Sequence, residues 1–400
     1  MKQRILIITP KMPFPKTGAC EQDRGYGIED FIRLGYEVRV IAKTTPEKVP
    51  LAVQESKRLG IPLVALPYVH ATFFRKGLLH AIKRVCSPWT WDGAAFEYYD
   101  PAIQEVVVRT LDEFKPDVVW FDYSYMWPLY HHAQRKNIPI ITRSQNFEPS
   151  HFLQEDGMSL IHILKYIPKL LSEIIVIRKS SLVLAITPHE ERIYKKRGAH
   201  VRTLPLRGLP HLLVDQPVIS SKEILDVFFF GSTYNVHHNR YALEFLLREI
   251  IPEVQRRAPG KFNFHILGAK IPTDLEMLCH GQVRYEGYVQ DLNAFLKDMD
   301  IAVIPSLMGA GMQQKIFEPL VRGIPLVTSP RGIAGYPFTS PDDYRSANTA
   351  SQFADAIISL QNATVRRSIS THSLEISKRI FSRKAIDSII VESINDVYSI

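Results

Sequence analysis

Short runs of apolar residues, many of them β-branched, recur through the first half of the chain and are separated by longer, more polar stretches. Runs of this length and composition predict buried strands of a parallel sheet. The stretch that follows the first run, residues 21–34, predicts a helix. The predicted strands are residues 5–9, 37–42, 118–122, 138–143 and 182–187.

The same alternation starts again in the second half, after a segment rich in Pro and Gly that lacks periodicity. Its predicted strands are residues 226–231, 263–268, 301–305 and 325–328. Two β/α arrays predict an α/β protein with two doubly wound, Rossmann-like domains facing a cleft. We place the domains at residues 1–205 and 226–373, with a linker at 206–225. A helix at 374–400 is expected to pack back on the first domain.

Length and composition agree with a folded two-domain protein, since the chain has 400 residues, of which 46% are hydrophobic. The apolar run after Met1 is too short for a signal peptide. No uninterrupted apolar run approaches the roughly 18 residues of a membrane-spanning helix. Cys20, Cys86 and Cys279 form no CxxC pattern. This predicts a cytoplasmic protein without disulfides or a zinc site.

The net charge of +8 lies entirely in the first half, because residues 1–205 hold 29 Lys and Arg against 21 Asp and Glu, while residues 206–400 hold 20 of each. Residues 70–85 mix cationic and apolar side chains, and Trp89 and Trp91 follow. This pattern favours a helix lying on an anionic membrane, so that the protein would be peripheral on the inner face of the cell membrane. The alternative is an ordinary amphipathic helix that covers the sheet.

A glycine-containing loop follows the predicted strand 301–305 and leads into a helix that carries Lys315 and Glu318. Glycines allow backbone N–H groups to approach a phosphate, and the helix N-terminus adds partial positive charge. The two side chains share a helix face, so that one can meet a diphosphate and the other sugar hydroxyls. The alternative is an ordinary strand–turn–helix connection.

Several ordered motifs accompany this loop: residues 228–245 with Gly231 and Asn239, residues 264–268, residues 283–291, and two glycine-containing segments at 323–328 and 332–335. Together they resemble the GT-B glycosyltransferases of the retaining family 4 type. The resemblance implies a nucleoside-diphosphate sugar bound mainly by the second domain, an acceptor bound by the first domain, and retention of anomeric configuration. It implies no cofactor and no obligatory metal.

The resemblance also assigns roles to residues. Glu318 would contact the nucleotide ribose, Lys315 would neutralise the departing diphosphate, and Asp122 would touch the transferred sugar; these three are the predicted catalytic residues. Arg143, Asn146 and Glu148 would line the acceptor site. Donor binding is expected from Gly18, Gly231, Ser232, His238, Asn239, Tyr288, Val289, Gly309, Ala310, Gly311 and Met312.

This chain departs from the family pattern at two places. Many members carry a glutamate eight positions before the second one, where this chain has Ala310. Many also carry an Arg and a Lys after the first strand of the second domain, a region that here offers Ser232, His238 and Asn239. Lys315 is therefore the expected replacement for the missing cations. Pro319 is compatible with a helix that begins near Gln313.

Several of these residues have a second interpretation. Asp122 could be a capping carboxylate, and His237 and His238 could be plain loop residues. Asp298 and Asp300 spell a DxD motif, but they precede a strand, whereas ligands in such sheets bind at the carboxyl ends. We therefore interpret them as a turn, not as a metal site.

The leading functional hypothesis is a glycosyltransferase of surface polysaccharide or glycolipid biosynthesis, acting on a glycan or lipid-linked acceptor. Two alternatives remain open: a nucleotide-sugar epimerase of the same fold, and a non-catalytic sugar-binding relative. The basic pI of about 9.2 also raises nucleic-acid binding. No recognition motif for nucleic acid accompanies the charge, so that class is not expected.

Overall fold

The computed structural model describes residues 2–16, 18–69, 91–150, 153, 160–308 and 311–398. The chain divides into two compact units: Met1–Gly208 together with Ile386–Ile400, and Leu209–Ala385. The basic amphipathic segment 70–85, Trp89, Gly309 and Ala310 lie outside the described residues. Within the described part of the chain, every helix is too short or too polar to cross a lipid bilayer.

The first unit is built on a seven-stranded parallel sheet in the order β3-β2-β1-β4-β5-β6-β7. The strands are β1 (Arg4–Thr9), β2 (Glu37–Thr44), β3 (Leu63–Pro67), β4 (Val118–Phe121), β5 (Ile140–Ser144), β6 (Leu182–Ala185) and β7 (Val201–Thr203). The order reverses between β1 and β4, so the chain leaves these two strands in opposite directions. In doubly wound sheets this switch point opens the crevice where ligands bind.

Helices join these strands, and the last helix of the chain returns to the same unit. They are α1 (Ala19–Arg33), α2 (Val49–Leu59), α3 (Gly93–Phe96), α4 (Pro101–Phe114), α5 (Tyr130–Gln134), α6 (Leu160–Lys179), α7 (Pro188–Lys195) and α15 (Arg383–Tyr398). Short 3₁₀ segments occur at Pro46–Lys48, Glu97–Tyr99 and Ser124–Leu129.

Both faces of the first sheet are covered, as its apolar strands require. Along β1, Leu6 and Ile8 join one buried cluster, whereas Ile5 and Ile7 join the other. The second cluster includes Ile390 of α15, which therefore belongs to the core of this unit.

The second unit has a six-stranded parallel sheet in the order β10-β9-β8-β11-β12-β13. Its strands are β8 (Leu225–Thr233), β9 (Phe262–Ala269), β10 (Val283–Gly287), β11 (Ile301–Ile304), β12 (Leu326–Thr328) and β13 (Arg345–Ser346). Its helices are α8 (His237–Phe245), α9 (Ile251–Arg257), α10 (Thr273–Glu276), α11 (Leu292–Leu296), α12 (Gln314–Val321), α13 (Ala350–Ser359) and α14 (Ala363–Phe381). A π-helical turn, Leu246–Ile250, joins α8 to α9, and 3₁₀ turns occur at Leu209–His211 and Pro330–Ile333.

The predicted strands are confirmed in place and in parallel orientation, and so is the expected fold class. The apolar pattern missed β3, β7, β10 and β13, which are short and partly exposed. β7 and β13 lack an apolar run, whereas β3 is a run of five apolar residues, and the segment that contains β10 was noted only through the family resemblance. The single helix expected at 374–400 is instead two helices, α14 and α15. They are separated at Ser382, whose backbone is extended.

A buried ion network of Asp23, Asp122, Arg143 and Arg207 closes the carboxyl edge of the first sheet. Asp23 accepts hydrogen bonds from Arg143 Nη2 at 2.9 Å and from Arg207 Nη2 at 3.1 Å. Arg207 Nη2 also donates to Asp122 Oδ1 at 3.0 Å. All four side chains are buried. The network therefore joins α1, β4, β5 and the segment that follows β7.

Room for this network comes from a glycine in α1. A Cβ placed on Gly27 would lie 2.2 Å from Nη1 of Arg207, a distance that no relaxed structure tolerates. Because the guanidinium is held by two carboxylates, it cannot move aside without breaking a buried ion pair. Gly27 is therefore required by packing, although Ala would suit a helix better.

We expect Gly27→Ala to lower the free energy of unfolding by about 1–3 kcal/mol, because an added methyl group overpacks the buried network. Urea unfolding followed by circular dichroism measures this change. Gly208→Ala is the control, because a Cβ on this buried glycine would lie 3.5 Å from the Tyr26 ring, an ordinary van der Waals distance. Equal stability of the two variants would contradict the proposed role of Gly27.

Candidate functional site

The predicted phosphate loop leads from β11 into α12 in the second unit. Gln313 occupies the N-cap position of α12 and makes no side-chain cap. Ser306 Oγ donates to Gln313 Oε1 at 2.9 Å and so ties the end of the strand to the start of the helix. Gly311 has a positive φ of 70°, which favours glycine, and Met312 is buried. The predicted helix start near Gln313 is confirmed.

Lys315 of α12 reaches the loop–helix segment that follows β8. Its Nζ donates to Asn239 Oδ1 at 2.8 Å and lies 5.9 Å from the centroid of the Phe229 ring. Burial lowers the pKa of Lys315 to about 8, although part of the side chain remains exposed. Two residues predicted separately from sequence are therefore in direct contact.

Asn239 is itself fixed, because it is buried and its Nδ2 donates to the carbonyl of Thr233 at 3.1 Å. The turn beneath it is tight. A Cβ on Gly268, whose φ is +142°, would lie 2.4 Å from the Gly231 carbonyl oxygen, and a Cβ on Gly231 would lie 3.2 Å from the Tyr234 ring. Ser232 is exposed and His238 is partly exposed on the same segment.

Glu318 is 2% exposed, and its carboxylate is engaged by its own helix. Oε1 accepts from Arg322 Nη2 at 2.7 Å, and Oε2 accepts from Gln314 Nε2 at 3.1 Å. A carboxylate oxygen has capacity for a second hydrogen bond. The ribose contact predicted for Glu318 thus stays a prediction, and it requires Glu318 to gain access to the nucleotide.

Two further predicted donor residues follow β10 at the carboxyl edge of the second sheet. Tyr288 is 68% exposed, which is high for a tyrosine, and Val289 is partly buried. They come directly after Gly287, whose φ is +66°. An exposed aromatic ring at this edge is available for stacking on a planar ligand.

Asp300 lies at the opposite, amino end of β11, as its place before the strand predicted. Its Oδ2 accepts from the backbone N–H of Asp226 at 2.8 Å and lies 3.5 Å from Lys222 Nζ. Ser220 also donates to its other oxygen. Asp300 is thus a structural carboxylate of a turn. Within the described ranges, no three His, Cys, Asp or Glu residues are grouped to hold a metal ion.

In the first unit, Gly18 is the N-cap of α1 and follows the loop after β1. Its backbone carbonyl accepts from Gln22 N at 2.8 Å. A Cβ at this position would meet only the flexible end of Glu21. The structure places Gly18 near the switch point, where the sequence expected it.

Asp122 and Arg143 are both 0% exposed and belong to the buried ion network, and their predicted contacts with the transferred sugar and the acceptor stay predictions. Asp122 Oδ1 also accepts from Trp120 Nε1 at 2.8 Å. Arg143 Nη1 donates to the Leu204 carbonyl at 3.0 Å. Burial opposes the charge on Asp23, but Arg143 and Arg207 outweigh it and hold its pKa well below the usual value. Asp122 and Arg143 are thus positioning residues in this structure.

Asn146 and Glu148, the other two predicted acceptor residues, are partly exposed and linked by a tyrosine. Tyr123 OH donates to Glu148 Oε1 at 2.5 Å and accepts from Asn146 Nδ2 at 3.4 Å. Lys169 Nζ donates to the second oxygen of Glu148 at 3.3 Å. These side chains gather beyond the carboxyl ends of β4 and β5, where a ligand can reach them.

Two carboxyl groups beneath Glu148 were missed from sequence. Glu173 accepts from Ser124 Oγ at 2.9 Å and from Tyr194 OH at 2.7 Å, and Glu190 accepts from the backbone N–H of Phe147 at 3.0 Å. Burial raises the pKa of Glu173 to about 7 and that of Glu190 to about 8. Both groups therefore carry protons near neutral pH.

Arg24 is the other residue that the motif search missed. It lies on α1 one and two turns before the buried Ile28 and Phe31, so a charged side chain occupies the apolar stripe of this helix. Burial opposes its charge, but Cys20, Asp122 and Tyr125 together raise the pKa of Arg24 above its ordinary value. A charged residue on an apolar helix stripe is the sequence signal that could have found it.

Residues 225–363 match the model of a family described as glycosyl transferases group 1. They lie within the second unit and include the whole Lys315–Asn239 region. No curated protein sequence matches the chain.

Solved structures match the whole chain at low sequence identity. Sucrose-phosphate synthase from Thermosynechococcus elongatus superposes with a TM-score of 0.71 at 14% identity, covering 100% of both chains. TarM from S. aureus, in complex with UDP and other ligands, superposes with a TM-score of 0.68 at 11% sequence identity, covering 99% of both chains. HepE from Anabaena, in complex with UDP and glucose, superposes with a TM-score of 0.65 at 12% sequence identity, covering 98% of this chain and 99% of the HepE chain. The fold is that of GT-B glycosyltransferase structures.

The buried carboxyl groups give a prediction about pH. In the unfolded chain Glu190 titrates near 4.5, whereas in the folded protein its pKa is about 8. Between these values the folded state binds a proton that the unfolded state has released, so stability falls as pH rises. We expect the free energy of unfolding of the wild type to fall by on the order of 3 kcal/mol between pH 5 and 8.5 because of Glu190, and Glu190→Gln should not show this fall. Thermal unfolding at several pH values across that range measures the difference. Glu105→Gln, at an exposed site, is the control, and a slope unchanged in Glu190→Gln would contradict the assignment.

Proposed function

We propose that the protein is a glycosyltransferase that moves a sugar from a nucleoside-diphosphate sugar to a glycan or lipid-linked acceptor with retention of configuration. The observation that carries the proposal is the 2.8 Å contact between Lys315 and Asn239. It joins the two segments of the second unit in which donor-binding residues were predicted independently. The match of residues 225–363 to the glycosyl transferases group 1 model supports the same assignment.

The chemistry follows from charge. Departure of a nucleoside diphosphate builds negative charge on the leaving phosphate, and a preorganised cation stabilises that charge. The Lys315 ammonium is oriented by one acceptor, Asn239 Oδ1, and keeps donor capacity for phosphate oxygens. Partial burial strengthens each electrostatic interaction at this site. Lys315 is proposed to neutralise the leaving group, with backbone N–H groups of the Gly311 loop beside it.

The same proposal includes finer expectations. Donor binding uses no metal, because Lys315 and backbone amides supply the positive charge. The enzyme works in the cytoplasm in surface polysaccharide or glycolipid biosynthesis, with residues 70–85 on the inner face of the membrane. Co-flotation with vesicles containing anionic lipid tests this membrane contact. Failure to float at low salt, where electrostatic attraction is strongest, would contradict it.

We expect Lys315→Met to reduce kcat/KM for the nucleotide sugar by about 100–1000-fold, the usual effect of removing one group that stabilises transition-state charge. In the wild-type enzyme kcat/KM should fall as pH rises through about 8, because Lys315 then loses its proton. Lys315→Arg, which stays charged, should move this fall to higher pH. The measurement is nucleoside diphosphate release against pH for a panel of nucleotide sugars.

Lys297→Met is the matched control, because Lys297 is exposed at the end of α11. Its kinetics should equal those of wild type. Unchanged turnover in Lys315→Met would contradict the donor-site assignment. Binding of a nucleotide sugar without turnover by wild type would favour a non-catalytic sugar-binding relative, and an epimerised nucleotide sugar as product would favour an epimerase.

A further inference from the structure

A buried arginine at the carboxyl edge of the first sheet makes no hydrogen bond with the described residues. The buried ion network has two carboxylates, Asp23 and Asp122, and two guanidinium groups, Arg143 and Arg207. Arg24 adds a third guanidinium and is only 3% exposed. The nearby Lys43, Glu97 and Asp100 add one ammonium group and two carboxylates, so the eight charges balance, and it is the hydrogen-bonding capacity of Arg24 that is unused.

Arg24 is the member that lacks a partner. Across the described residues its guanidinium makes no hydrogen bond or ion pair within bonding distance, and its Nε is fully enclosed. Leaving a charged group buried without a partner costs several kcal/mol, whereas a protein interior normally satisfies such groups. Unused donors on a buried guanidinium indicate a site for an anion that can accept their hydrogen bonds.

Neighbouring carboxylates do not supply that anion. Lys43 holds both Glu97, at 3.0 Å, and Asp100, at 2.9 Å, and neither pairs with Arg24. Asp122 has one oxygen without a hydrogen bond, but its other oxygen is bound to Arg207, and it forms no ion pair with Arg24. Asp122 raises the pKa of Arg24 through its charge, but among the described residues no nearby carboxylate accepts a hydrogen bond from it.

Arg24 lies at the switch point of the first sheet, the position at which doubly wound folds bind ligands. α1 follows β1, and Asp122–Tyr125 follow β4, the two strands on either side of the switch point. Arg24 is close enough to Asp122 and Tyr125 for both to affect its pKa. A ligand at the switch point would therefore meet the Arg24 side chain.

A row of tyrosines leads from this position to the predicted acceptor residues. The Tyr98 and Tyr125 ring centroids lie 5.9 Å apart, and those of Tyr125 and Tyr123 lie 4.3 Å apart. Tyr123 OH then donates to Glu148. Tyr98 and Tyr123 are buried, so within this row Tyr125 is the ring that offers part of its surface to a sugar.

Resting on the proposed glycosyltransferase function, we propose that the acceptor carries a phosphate group and that the Arg24 guanidinium binds it. The five N–H donors of Arg24 match several phosphate oxygens in a planar fork, and the opposite charges of the two partners strengthen these hydrogen bonds. The sugar or lipid portion of the acceptor then passes Tyr125 toward Glu148. The phosphate belongs either to a soluble sugar phosphate or to a lipid phosphate.

The test is ligand binding to the full-length protein by calorimetry and thermal shift. Glucose 1-phosphate is compared with glucose, and farnesyl phosphate in detergent micelles with farnesol. We expect one phosphorylated ligand to bind wild type and its unphosphorylated partner to fail; the pair that responds identifies the source of the phosphate. Arg24→Met should weaken this binding by at least about tenfold, and Arg24→Lys by less, because Lys keeps the charge without the fork.

The melting temperature of the unliganded protein shows whether Arg24 has a structural role in addition to ligand binding. If Arg24 has no partner, Arg24→Met should melt at or above the wild-type temperature, because an apolar side chain replaces an unpaired charge. Arg109→Met, at an exposed site on α4, should match wild type in stability and binding. A lower melting temperature for Arg24→Met would identify a structural partner and overturn the proposal. So would equal phosphate affinity in wild type and Arg24→Met, or no response of wild type to either phosphorylated ligand.

UDP and GDP added to the same samples keep this inference separate from the proposed function. A nucleotide response in wild type that Arg24→Met retains supports donor binding in the second unit whatever the acceptor carries. Absence of any nucleotide response in wild type would contradict the proposed function itself.

Discussion

The bidentate pairing of Asp23 with Arg143 and Arg207 is the interaction on which the first unit depends. These residues are 120 and 184 positions apart in sequence from Asp23. Their pairing fixes α1, the end of β5 and the segment after β7 against one another. Removing one partner would leave a buried charge without a counter-ion, which destabilises a protein more than replacing the whole pair with apolar residues. The network also requires glycine at position 27, because only a residue without a Cβ leaves room for Arg207.

In the second unit the partly buried cation is Lys315, and its surroundings differ from those of the paired arginines in the first unit. Among the described residues Lys315 has one hydrogen-bond acceptor, Asn239, and no carboxylate partner, and burial lowers its pKa to about 8. Its neighbour on the same helix face, Glu318, instead accepts hydrogen bonds on both oxygens, from Arg322 and Gln314. The helix therefore carries one satisfied anion and one under-satisfied cation, which favours binding of an anion.

The sequence predicted most of the fold because a buried parallel strand corresponds to a short, contiguous run of apolar residues. It missed β3, β7, β10 and β13, which are short and partly exposed. The donor segment was predicted because Lys315 and Glu318 lie in one contiguous motif. Asp122 and Arg143 were placed correctly at strand ends, but the ion network that buries them was not predicted, because their partners are distant in sequence. No local pattern reveals an ion pair across 120 residues.

Each unit thus carries one enclosed, under-paired cation on a helix that follows a strand at the carboxyl edge of its sheet. Burial lowers the pKa of Lys315, and the lysine can relieve this cost by releasing its proton. Arg24 stays charged at physiological pH, and nearby anionic groups raise its pKa, but among the described residues its buried donors have no hydrogen-bond acceptor. A phosphate ligand would supply acceptors to both cations. Its binding to the second unit would be coupled to proton uptake, whereas its binding to the first would not. The different pH dependences of the two affinities therefore follow from the choice of Lys in one unit and Arg in the other.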